Sequence, residues 1–276
     1  MNRIQVALLI VGLQFVWGCS GGSTGSTEPV AQVSGASSQD TNIADKDPNL
    51  ESVPEQTEPG DEDFPRGSVA FAALVKAAQT NSAEAWNEAE AKLQALGASA
   101  VPALSDRLAD ENPIARELAA MLLAQIGPDA SPAADGLVKL LKDESTFARV
   151  NAAAALSTFE GYATRAIPVL TELLADEDDN VRLTAATSLR NVGSLAVDAL
   201  DELIKTLEDT NREVRAAAAT TLGEIGPQAA QSLPALRKLG SDSEETVTKA
   251  AIIAIRRIDK TERPQVGVTI PASATE

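Results

Sequence analysis

The chain has 276 residues, a formal charge of −17 and few aromatics. It has no histidine and one cysteine, which excludes an internal disulfide, a Ser-His or Cys-His nucleophile, and the commonest general base and metal ligand. The acidic balance argues against a nucleic-acid partner, whose non-specific binding rests on phosphate neutralisation, and reads as a solubilising surface.

Residues 1–18 read as an export signal. Arg3 supplies the positive start, and Ile4 to Val16 is apolar apart from Gln5, Gly12 and Gln14. That length suits a secretory leader better than a membrane span. The leader ends at Val16-Trp17-Gly18-Cys19, with Ser20 next. This resembles a bacterial lipobox, in which the cysteine is lipidated and becomes the mature N-terminus. Trp17 and Val16 depart from the usual small residue and Leu. The resemblance implies a lipid anchor on Cys19, and Ser20 resembles the signal for sorting to an outer membrane. Each buried CH₂ of such a lipid contributes about 0.8 kcal/mol, so two or three chains hold firmly.

Residues 19–66 are rich in Gly, Ser, Thr, Pro, Asp and Glu. They carry too few apolar groups to offset the entropy of ordering, which predicts a disordered acidic tether. Its reach is roughly 35–40 Å.

From Gly67 the pattern turns helical. Phe71, Leu74, Val75 and Ala78 fall on one face, and Asn81 with Glu84 is expected to cap the next helix. That helix carries Trp86, Leu93 and Leu96 and stops at Gly97; Pro102 opens a third. A 33-residue period then governs the chain. It aligns Asp110, Asp143, Asp176, Asp209 and Asp242. It aligns Ala119, Ala152, Ala185, Ala218 and Ala251, and Leu104, Leu137, Leu170, Leu203 and Leu236. Counting back by 33 puts Trp86 in the Ala column.

Two residues after each of the first four Asp stands a good N-cap: Asn112, Ser145, Asp178 and Asn211. Pro113 fits the first helical position. Val214, Ala218, Leu222 and Ile225 share a face, and Phe159 falls in the Ile126, Val192, Ile225 and Ile258 core column. Gly127, Gly193 and Gly226 end the first helix of a unit, and Gly161 does so one residue late. Pro168 and Pro234 are expected to open second helices. Each unit is thus a helical hairpin that buries its stripe by stacking on its neighbours. Asp242 to Ile258 is a terminal half-repeat, and 259–276 reads as a frayed tail.

An Asp, an Arg six residues on (Arg116, Arg149, Arg182 and Arg215), paired Ala, Leu and Ile-Gly-Pro together resemble HEAT-like repeats of the phycobilisome-lyase variety, over residues 67–258. The resemblance implies an all-α, right-handed α-solenoid of about five hairpins of 33 residues plus terminal half-repeats. It also implies that the Asp and Arg columns tie neighbouring repeats together, a structural rather than catalytic role. It further implies a concave face lined by the second helices. Lys139, Glu172, Lys205 and Lys238 recur there, beside a column ending in Arg237. This ladder is expected to form a groove for a protein or extended-peptide partner; ordinary solvated helix residues are the simpler alternative.

Two enzymatic relatives bear on function. Bilin lyases work in the cytosol, which an exported lipoprotein does not suit. The HEAT-like hydroxylases hold iron with His-Glu motifs, which a chain without histidine lacks. Neither a phosphate loop nor a nucleophile elbow is present. The expectation is a membrane-anchored, non-enzymatic scaffold with no cofactor and no metal. The alternatives are an enzyme or enzyme subunit related to the phycobilin lyases, or a purely structural envelope component. Phe147 and Tyr162, near hairpin ends, are candidate exposed anchors.

Overall fold

A computed structural model describes residues 67–259. The leader, Cys19, the tether and the tail beyond Asp259 lie outside the described residues. Twelve α-helices run through the described residues: α1 (Ser68–Thr80), α2 (Ala83–Leu96), α3 (Val101–Arg107), α4 (Pro113–Ile126), α5 (Ala134–Leu140), α6 (Thr146–Leu156), α7 (Ala163–Leu173), α8 (Asp179–Val192), α9 (Leu200–Thr206), α10 (Arg212–Ile225), α11 (Leu233–Leu239) and α12 (Glu245–Ile258). Short 3-10 segments join the helices of four hairpins, at Gly97–Ala100, Gly127–Ala133, Gly193–Ala199 and Gly226–Ser232.

The helices begin where side-chain oxygens can satisfy their first amides. Asn112 accepts from the Ile114 amide at 3.1 Å, Ser145 from Ala148 at 3.3 Å and Asp178 from Asn180 at 2.8 Å. Asn211 accepts from both Glu213 and Val214. Upstream of each cap, the recurrent Asp accepts from the amide two residues on, as Asp143 does from Ser145 at 2.9 Å. One carboxylate thereby fixes the turn that feeds each first helix. At the other end Gly226 stands at φ 76° and ψ −144°. The sequence suggests an ordinary left-handed cap, but this conformation is open essentially to glycine alone.

The Ala column is fully buried and the Leu column is at most 1% exposed. Small side chains let first helices approach one another: α4 packs on α6, α6 on α8, α8 on α10 and α10 on α12. No comparable row forms among the second helices, each of which packs instead against the first helix of the following hairpin. Where α10 meets α12, a Cβ added to Gly223 would lie 3.0 Å from the Ala254 backbone, so glycine there sets the spacing of the two helices.

The first hairpin departs from the 33-residue count. Ser82, not Asn81, caps α2, accepting from Ala85 at 3.4 Å; Asn81 instead closes α1 in the left-handed region at φ 54°. Ser82 and Gly97 stand 30 residues before Asn112 and Gly127, because the first 3-10 segment has 4 residues where the next has 7. Counted from the caps, buried Ala89 takes the Ala position and Trp86 takes the place of the recurrent Arg. Trp86 is half-buried and donates from Nε1 to Glu90 at 3.0 Å. The shortened turn lies beside a cleft of about 230 Å³ lined by Leu93, Gly97, Leu104, Leu122 and Ile126. The third hairpin is also irregular. α6 ends at Leu156, and α7 starts at Ala163, so Pro168 sits inside α7 rather than opening it.

Candidate functional site

The recurrent charges build rungs between repeats. Arg116 Nε and Nη2 donate to both oxygens of Asp143, at 2.7 and 3.0 Å, while Nη1 donates to the Asp110 and Glu111 carbonyls. Arg182 does the same with Asp209 and with the Asp176 and Glu177 carbonyls. Arg215 repeats it with Asp242. Each of these guanidiniums therefore staples its own capping turn to the next one, using the planar fork that suits a carboxylate. The paired side chains are 9–14% exposed.

Electrostatics follow the geometry. Asp143 is pushed up by burial, but its bonds from Arg116 and the Ser145 amide outweigh this and hold it below its ordinary value. Asp242 is lowered chiefly by Arg215. The Arg116, Arg182 and Arg215 guanidiniums are raised by their aspartates. In each of these groups the charged form is favoured.

One rung is open. Arg149 Nη1 donates to the Asp143 and Glu144 carbonyls, and Nη2 to Thr146 Oγ1 at 3.2 Å. Among the described residues it makes no ion pair with Asp176, whose carboxylate accepts from the Asp178 amide as the other recurrent aspartates do from theirs. The bridge that the resemblance implies at every junction is thus missing at this one, where the guanidinium bonds within its own repeat.

Lys139, Glu172, Lys205 and Lys238 stand exposed on α5, α7, α9 and α11, one per hairpin. Two of the lysines are neutralised locally. Lys205 Nζ lies 2.6 Å from Glu202, and Lys238 Nζ lies 2.8 Å from Glu208 of the preceding hairpin. Both lysines are raised by those carboxylates. Arg237 reaches Asp259 at 3.9 Å. These residues occupy the row whose helices do not pack on one another. The ladder therefore lies on the row of second helices, apart from half-buried Ala154, Leu183, Thr187, Ala216 and Thr220 of the first helices. The period alone could not distinguish the rows; the Ala-rich composition of the first helices was the available signal.

Of the aromatic expectations one holds and two change. Phe159 is core, 1% exposed. Phe147 and Tyr162 are half-buried against the core rather than free anchors. Tyr162 Oη donates to Asp135 at 3.4 Å, and the Arg165 guanidinium lies over its ring. A pair the sequence reading missed is Glu117, which accepts from Ser145 Oγ at 2.5 Å across the repeat boundary and is raised by its burial.

The model of HEAT repeats matches residues 101–190 and again 167–256. The chain belongs to the HEAT-repeat family. Among solved structures, this HEAT-repeat chain is similar to an engineered protein, 24% identical over 70% of this chain and 96% of that one, with a TM-score of 0.53. It is similar to a designed armadillo repeat protein, 22% identical over 71% and 99%, with a TM-score of 0.53. It is also similar to the complex of CpcE and CpcF of phycocyanin lyase from a Nostoc species, 26% identical over 58% and 65%, with a TM-score of 0.48. The first two likenesses show the fold, an armadillo/HEAT-like α-solenoid, and fold does not fix function. No curated protein matches the chain. Among the described residues, no helix of the HEAT domain is long and apolar enough to cross a membrane.

Proposed function

We propose that the chain is a non-enzymatic scaffold that holds a protein or extended-peptide partner at a bacterial membrane, to which a lipid on Cys19 tethers it. The observation that carries this reading is how the recurrent charges are used. The aspartates and arginines of the repeat are engaged in caps and rungs, and the charged forms of Arg116, Arg182 and Arg215 are stabilised. What recurs toward solvent is a row of helix faces, the kind of extended surface with which stacked repeats bind. The leader and the Cys19 motif support export and anchoring, and the acidic tether supplies the reach.

Two measurements test the reading. Cys19→Ser should move the protein from the membrane fraction to the soluble fraction; a variant that stays in the membrane refutes the lipid anchor. Partner capture from crosslinked cell envelopes should compare the native chain with two sets of changes. One set, on the second helices, is Lys139→Glu, Lys205→Glu and Lys238→Glu; the other, on the first helices, is Thr187→Arg with Thr220→Arg. A partner lost with one set alone places the binding face, and a native chain that captures no specific partner refutes the scaffold.

A further inference from the structure

Three features coincide at the boundary between α6/α7 and α8/α9. The first is the open rung: closed bidentate pairs lie on either side, at Arg116–Asp143 and Arg182–Asp209, but Arg149 does not reach Asp176. The second is helix geometry. α6 stops at Leu156, whereas α4, α8 and α10 continue to Ile126, Val192 and Ile225, the column that Phe159 occupies in this hairpin. α7 then carries Pro168 within it, where a missing amide weakens the helix ladder. The third is the seam itself. Between α4 and α12, α6 and α8 make the least extensive of the contacts between successive first helices. The polar bridge between them is Asn191 Nδ2 donating to Ser157 Oγ at 3.4 Å, a long hydrogen bond. At the next seam, by contrast, Thr221 Oγ1 donates to the Ala186 carbonyl at 2.8 Å.

We propose that this boundary is a joint: the part of the solenoid up to α7 and the part from α8 onward are stiff blocks that rock about the α6–α8 contact. A stack of repeats is held only by neighbour-to-neighbour interfaces, so between α4 and α12 its bending concentrates at the weakest one. A closed rung fixes two capping turns at once through two parallel bonds; without it, the turns at Asp143 and Asp176 are not bonded to each other, and α6 and α7 meet α8 through packing and the long Asn191–Ser157 bond. The joint divides the row of first helices between α6 and α8, so its angle sets the curvature offered to anything lying along both halves. This is a hinge of the small-rotation kind, in which packed elements shift without unfolding.

The test uses the full chain carrying Cys19→Ser and pairs of spin labels on introduced cysteines. Glu111, Glu144, Glu177 and Thr210 occupy one column and are all exposed. Neighbouring members therefore report one junction each, without disturbing the core. The label-to-label distance distribution for Glu144→Cys with Glu177→Cys should be about twofold broader than that for Glu111→Cys with Glu144→Cys, or for Glu177→Cys with Thr210→Cys. Equal widths at the three junctions overturn the joint.

Discussion

Replacing Arg182 with alanine removes both bonds to Asp209, at 2.7 and 3.0 Å, and the bonds to the Asp176 and Glu177 carbonyls. The partners are 13% and 9% exposed, so the Asp209 carboxylate is left nearly buried and without its guanidinium. Breaking a buried pair from one side costs about 3–5 kcal/mol. The remaining exposure places Arg182→Ala at the lower end, about 3 kcal/mol. Arg149→Ala removes three bonds to neutral acceptors and no carboxylate contact, a cost of about 1 kcal/mol. Urea unfolding followed by far-ultraviolet circular dichroism separates the two. With a slope of about 2–3 kcal/mol/M, Arg182→Ala should lower the midpoint by about 1 M and Arg149→Ala by a few tenths. The first transition is the one to compare, because repeat arrays can unfold in blocks. Equal losses would show that the rungs do not carry the inter-repeat stability assigned to them.

Leu203→Ala should cost about 2–5 kcal/mol by leaving a cavity, and Ala185→Leu about 1–3 kcal/mol by overpacking the helix contact; thermal unfolding of both variants measures these. Gly226→Ala meets no atom within 4 Å, so its cost, about 1–3 kcal/mol, is backbone strain alone, and an unchanged midpoint would refute the assigned conformation. Asp143 and Asp242 have depressed folded values, so their contribution is complete above the unfolded value of about 3.9 and is lost as pH falls below it through the folded values. Glu117 works the other way. Its raised value favours the fold at low pH, and that contribution is lost as pH rises through the folded value. Glu117→Gln should therefore raise the urea midpoint at neutral pH and not at about pH 4, as paired urea titrations will show.

The sequence by itself determined the hairpin, its length and its core, because these follow from local chemistry repeated at constant spacing. An Asp before an N-cap fixes a turn, and a buried Ala or Leu once per unit fixes a face. Reading Asp143, Ala152 and Leu170 needs only their neighbours in the chain. The same reading misplaced Trp86, because a shortened turn changes the count, and the caps at Ser82 and Gly97 carry the true register. Tertiary structure alone decided how closely successive helices approach along each row, which the period they share does not contain. It alone decided that Lys205 and Lys238 meet carboxylates, and that Arg149 bonds within its own repeat while Arg116, Arg182 and Arg215 reach across. The four arginines look alike in sequence. Whether a guanidinium spans to the next repeat depends on where packing puts the next helix, and a one-dimensional pattern does not contain that distance.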